Sequence, residues 1–157
     1  MTHSLLALTC TGAFTVIACS KGGRAIPTYN DTVKANVAKV ATCKPFPENR
    51  TGLIKESYDC TGENVSLIIN LSDHQRLRFI ELRTLAPTAA AAKPIVETVF
   101  NGIVTPTIIA DLVAHLDDNI EPAKEAPYRD IDGVVVASGA QNYGTLKKFR
   151  ASVSWAW

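Results

Sequence analysis

The first eighteen residues of this 157-residue chain contain no Lys, Arg, Asp or Glu. Over the whole chain, sixteen Lys and Arg face fifteen Asp and Glu, a net charge of +1. Without a basic excess, a nucleic-acid binder is excluded as an expectation, because such proteins neutralise phosphates with clustered cations. No G-x-S-x-G, H-E-x-x-H or P-loop occurs, so no catalytic or cofactor-binding motif supports an enzyme. No C-x-x-C occurs, and beyond the N-terminal region only His74 and His115 remain. A tetrahedral zinc site therefore lacks ligands, and no metal or other cofactor is expected. There is also no internal repeat and no sign of a second domain. What is present, 46% hydrophobic and 20% charged residues, suits one globular domain and argues against disorder.

The uncharged start has a shape of its own. Leu5–Ala18 is a fourteen-residue run of apolar and small residues. It is too short to span a bilayer core, which needs about twenty residues, and it fits the h-region of a secretory signal peptide. The run ends in Val16-Ile17-Ala18-Cys19, followed by Ser20-Lys21-Gly22-Gly23. This stretch resembles the lipobox of bacterial lipoprotein signal peptides. The resemblance implies cleavage before Cys19 and diacylglyceryl modification of its sulfur, with small Ala18 fitting the narrow pocket of the peptidase. It also implies acyl chains such as palmitate, and two or more chains give stable membrane attachment. Ser20 after the cysteine resembles the outer-membrane sorting preference of enteric bacteria. The expected layout is a signal peptide at 1–18, a lipid-anchored tether at 19–30 and a folded domain at 31–157. Two other readings stay open: a signal peptide that is simply cleaved, and an apolar first element of the fold.

Of the four cysteines, Cys10 falls in the leader and Cys19 at the lipidation position. Cys43 and Cys60 remain, and an even pair in an exported chain suggests a disulfide. Closing that loop should contribute about 3 kcal/mol by the chain-entropy model.

Periodicity then predicts an α+β domain. Val33, Val37 and Val40 mark a short helix over about 32–42, with Asp31 as N-cap and Pro45 and Pro47 beyond its end. Leu53–Cys60, Val65–Leu71 and Arg76–Leu85 read as an antiparallel meander, with turns at 61–64 and 72–75. Pro94 is expected as the first residue of a second helix with an Ile95, Val96, Val99, Phe100, Ile103 face. Thr105-Pro106 starts a third helix, which runs to about Asn119. Glu121–Pro127 reads as a loop, Val134–Val136 as a short strand and Gly139–Gly144 as a turn. Finally Phe149, Ala151, Val153, Trp155 and Trp157 alternate with Arg150, Ser152 and Ser154, as in a strand with one face on the core. The expected architecture is an antiparallel sheet of about five strands covered by two or three helices. Five strands are too few for an outer-membrane barrel, which needs at least about eight.

Charge is unevenly spread. Residues 19–93 hold eleven basic and seven acidic residues (+4), residues 94–132 two and eight (−6), and residues 133–157 three and none (+3). Asp117, Asp118 and Glu121 in the acidic stretch are candidate contacts for a cationic partner, although a solvated helical face and loop is the simpler reading. They lack the spacing of a calcium loop. Asp111, His115 and Asp118 share a helical face, but opposite the apolar one. Tyr58-Asp59-Cys60-Thr61-Gly62 is similar to the Y-x-C-x-G opening of the membrane-bound inhibitors of C-type lysozyme. Ser138-Gly139-Ala140 with Tyr143 loosely resembles that family's S-G-x-x-Y stretch, with the tyrosine one place further on. The resemblance implies that Ser138 and Tyr143 meet a partner enzyme. Taken together, the residues point to a non-enzymatic cell-envelope lipoprotein, held to the membrane by its N-terminal lipid and binding another envelope component. The alternative is an inhibitor or immunity-type protein acting on lysozyme or another envelope-attacking enzyme. Nothing in the pattern sets an oligomeric state.

Overall fold

A computed structural model of the chain describes residues 25–47, 52–121 and 124–155. The expected signal peptide at 1–18, the expected lipidation position Cys19 and Trp157 lie outside the described residues.

The fold follows from one bulged strand. From Arg76 onward the sequence R-L-R-F-I-E-L-R-T-L-A cannot alternate strictly, because Leu77 would then share a face with Phe79 and Glu81. A β-bulge resolves this. Leu71 pairs with Leu77 while Asn70 pairs with Phe79, leaving Arg78 as the extra residue. Leu77, Ile80 and Leu82 thereby all reach the core, each at most 1% exposed.

Around this strand, β4 (Arg76–Ala86), the chain builds one antiparallel sheet. The other strands are β1 (Thr42–Pro45), β2 (Glu56–Thr61), β3 (Val65–Ser72), β5 (Arg129–Ile131), β6 (Val134–Tyr143) and β7 (Leu146–Trp155). Their order across the sheet is β1-β2-β3-β4-β7-β6-β5. Three helices, α1 (Asp31–Ala38), α2 (Ala89–Phe100) and α3 (Pro106–Ala114), lie on one face. There α2 packs on β4 and β7 and α3 on β6, with α1 beside α2 and β1. Val96, Val99 and Phe100 of α2 close the core against Leu67, Ile69, Phe149 and Val153. Truncating a side chain as large and buried as Phe100 to alanine typically costs about 3–5 kcal/mol. The α+β class and the single layer of covering helices are as the residue pattern predicts; the strand count is seven rather than five.

The differences have local causes. Asn30, not Asp31, caps α1, its Oδ1 accepting from the Val33 backbone N–H at 3.1 Å. Asp31 becomes the first helical residue, where a carboxylate favours the positive end of the helix dipole. The second helix begins at Ala89, with Thr88 as N-cap, and Pro94 lies inside it. The alanine run 89–92 supplies the strongest helix formers available and tolerates one missing hydrogen bond near the start. The third helix begins at Pro106 as expected but stops at Ala114. Beyond it, Asn119 forms a parallel bridge with Ala140. That bridge turns the expected 139–144 turn into strand: β6 runs to Tyr143 and the hairpin loop is only Gly144-Thr145. Gly139 is needed within β6, since a Cβ there would stand 2.7 Å from Ile120 Cγ1 and 2.8 Å from the Asp118 carbonyl oxygen.

The residues before α1 also pair with the sheet. Leu77 N–H donates to the Pro27 carbonyl at 2.8 Å and Tyr29 N–H to that of Gln75 at 2.7 Å. Tyr29 is buried, 5.2 Å from the Tyr58 ring. Burial, and then the neighbouring Tyr58, raise its phenol above the usual value. The folded domain therefore includes residues from Pro27 onward.

Candidate functional site

The disulfide forms between β1 and β2. Cys43 and Cys60 are directly opposite in the ladder, with Cα atoms 3.9 Å apart. It clips a four-residue edge strand that could hold its place only weakly by backbone pairing. Among the described residues no helix is long and apolar enough to cross a membrane, and no three His, Cys, Asp or Glu gather as a metal site.

The candidate contacts Asp117, Asp118 and Glu121 follow the end of α3, and each has a local partner. Lys147 Nζ lies 3.1 Å from Asp117, His115 Nδ1 2.7 Å from Asp118, and Lys124 Nζ beside Glu121. One turn earlier, Asp111 accepts from Arg129 Nε at 2.8 Å. Arg129 in turn donates through Nη2 to Ser138 Oγ at 2.9 Å. The three candidate carboxylates are thus each engaged within the fold.

Ser138 and Tyr143 are not brought together. They stand five residues apart on β6, and an odd separation on a strand points side chains to opposite faces. Ser138 is fully buried under α3, whereas Tyr143 is 61% exposed. The two side chains therefore lie on opposite faces of the sheet, and the serine hydroxyl is held by Arg129 within the fold.

The opposite face of the sheet carries no helix and holds a second ionic cluster, which the sequence reading missed. Glu81 of β4 is 3% exposed and bridges two arginines. One carboxylate oxygen meets Arg83, two residues along the same strand, and the other meets Arg150 of β7. Arg83 and Arg150 are themselves cross-strand partners. Lys148 stands two residues from Arg150 on the same face, opposite Gln141 of β6. Ile120 walls one side, packed with Ala126 and Ala137 over the site of Gly139. A depression of about 270 Å³ lies between Arg83, Ile120, Gln141, Lys148 and Arg150. Tyr128 reaches the same face. Its phenol is raised above the usual range first by its hydrogen bond to Glu125. The available signal was the polar side of the last strand, where Arg150 alternates with the core residues; its β4 partners are set by long-range register.

Comparison with family models, curated proteins and solved structures finds no match for this chain. Function has to be argued from the residues and their geometry.

Proposed function

We propose that the chain is an exported, lipid-anchored binding protein of the bacterial cell envelope, acting without catalysis. The single observation that carries this reading is the Cys43–Cys60 disulfide in a chain whose start resembles a lipobox. Disulfides persist in oxidising spaces outside the cytosol, and the Val16-Ile17-Ala18-Cys19 stretch supplies a route there. The Ser20 that follows favours the outer membrane, with the domain facing the periplasm.

Two features support binding rather than turnover. Where a serine, a histidine and carboxylates come nearest, between α3 and β6, it is Arg129 that bonds Ser138, and the serine is buried. A nucleophile needs a base at its hydroxyl and access to substrate, and Ser138 has neither arrangement. The helix-free face, by contrast, presents charge and a depression to whatever approaches it.

Intact mass of the protein extracted from membranes of a bacterial host tests the reading. The expected species lacks residues 1–18, carries diacylglycerol and acyl mass on Cys19, and is two protons lighter than the reduced chain. Full-length polypeptide with every thiol free, recovered from the soluble fraction, would overturn it.

A further inference from the structure

We propose that the depression on the helix-free face, lined by Arg83, Ile120, Gln141, Lys148 and Arg150, is a binding site for a phosphate monoester. This names the ligand class of the binding role above. It rests on that role but not on the lipid anchor.

Register builds the site. Arg83 and Arg150 face each other across β4 and β7. Lys148 follows Arg150 on the same side of β7, and Gln141 sits across from it on β6. Gly139, opposite Arg150, offers no side chain. Ile120 comes down in that gap and forms an apolar wall. Three donors of positive charge and one amide thus surround about 270 Å³ beside a hydrophobic side chain.

Charge identifies the ligand. Like charges directly opposite on neighbouring strands are destabilising, yet this sheet places three cations together. Glu81 is the one carboxylate bonded among them, shared by Arg83 and Arg150. Three positive charges and one negative leave +2. Asp59 and Glu63 line neighbouring depressions, and Glu125 stands off the rim on Tyr128, whose phenol also feels Arg150 and Glu81; the +2 counts the lining residues and Glu81, and none of these other acids lines the depression. Arg150 Nε is buried and makes no hydrogen bond among the described residues. An unmatched buried donor is unfavourable, and chains keep such mismatches chiefly where function requires them. A phosphate monoester carries about −1.5 to −2 at neutral pH and has three accepting oxygens, which matches the guanidinium N–H groups that Glu81 leaves over, Arg150 Nε among them, and an ammonium. A carboxylate, with one charge, would leave the excess half uncompensated. The carrier of the phosphate is either a small polar molecule or a lipid headgroup.

Calorimetric titration of the full chain, purified in non-ionic detergent, tests this with glucose 1-phosphate, dihexanoyl phosphatidic acid and acetate as probes. At least one phosphate compound should bind saturably and about tenfold or more tighter than acetate; the tighter of the two names the carrier. Arg150→Gln should abolish binding. Because that change leaves Glu81 with one partner and could disturb folding, Lys148→Gln carries the decision. It should bind about tenfold more weakly while melting no lower than the parent chain. The proposal is overturned if neither phosphate compound outcompetes acetate, or if folded Lys148→Gln binds as the parent does. Failure of lipid anchoring would appear in the mass of the chain and leave this result standing.

Discussion

Two ionic clusters lie on opposite faces of one sheet, and they differ in how their charges balance. On α3 and just beyond its end, Asp111, Asp117 and Asp118 each have a cation or a histidine, and Arg129 joins Asp111 to Ser138. On the bare face, Glu81 alone stands among Arg83, Arg150 and Lys148. Along the chain the first region looks exceptional, with a net charge of −6 over residues 94–132. In space the candidate carboxylates of the first are each engaged within the fold, whereas the second gathers three cations around one carboxylate. Charge counted in sequence windows misses cations that arrive from other strands; what remains after tertiary pairing is the better guide to a binding surface.

Four substitutions sharpen or break this contrast. Glu81→Gln should have the largest effect, lowering stability by about 3 kcal/mol in denaturant titration, because it leaves guanidinium groups crowded without their buried carboxylate. If the loss is only a few tenths, the cluster is not held by Glu81 and the contrast fails. Arg129→Met should cost about 1–2 kcal/mol, since it strips the donor from Ser138 and the cation from Asp111. The last two should be small and opposite in sign. Lys148→Gln should raise stability by roughly 0.5 kcal/mol in low salt by relieving like-charge repulsion. Asp117→Asn should lower it by about 0.5 kcal/mol or less through loss of an exposed pair. Both shifts should shrink toward zero as salt rises toward about 1 M, where the screening length falls to about 3 Å. Equal signs for the two would show that the clusters are balanced alike.

Much of the fold was legible because it depends on local pattern. The meander Glu56–Ala86, the start of α3 at Pro106 and the one-sided last strand follow from periodicity and from the Thr105-Pro106 pair. Strands β1 and β5, of four and three residues, carry too little pattern to be seen; they exist because a disulfide and a longer neighbour hold them. Gly139 read as a turn because its role, making room for Ile120, belongs to a contact nineteen residues away in sequence. The site was hidden for the same reason. Arg83 and Arg150 are ordinary solvent-facing residues until β4 and β7 are known to be neighbours, and Ser138 and Tyr143 look like one motif until β6 is known to continue through both.

The strap at Pro27–Tyr29, paired with Gln75 and Leu77, has a geometric corollary for a chain tied to a bilayer at Cys19. On the proposed anchoring, eight residues of leash reach at most about 29 Å and hold the domain close to the lipid surface. The leash leaves from the beginning of β4, whereas Arg83 lies seven residues further along that strand, about 23 Å away at the usual rise. On the proposed anchoring at Cys19, the cationic hollow then lies well along β4 from the point where the leash leaves rather than beside it.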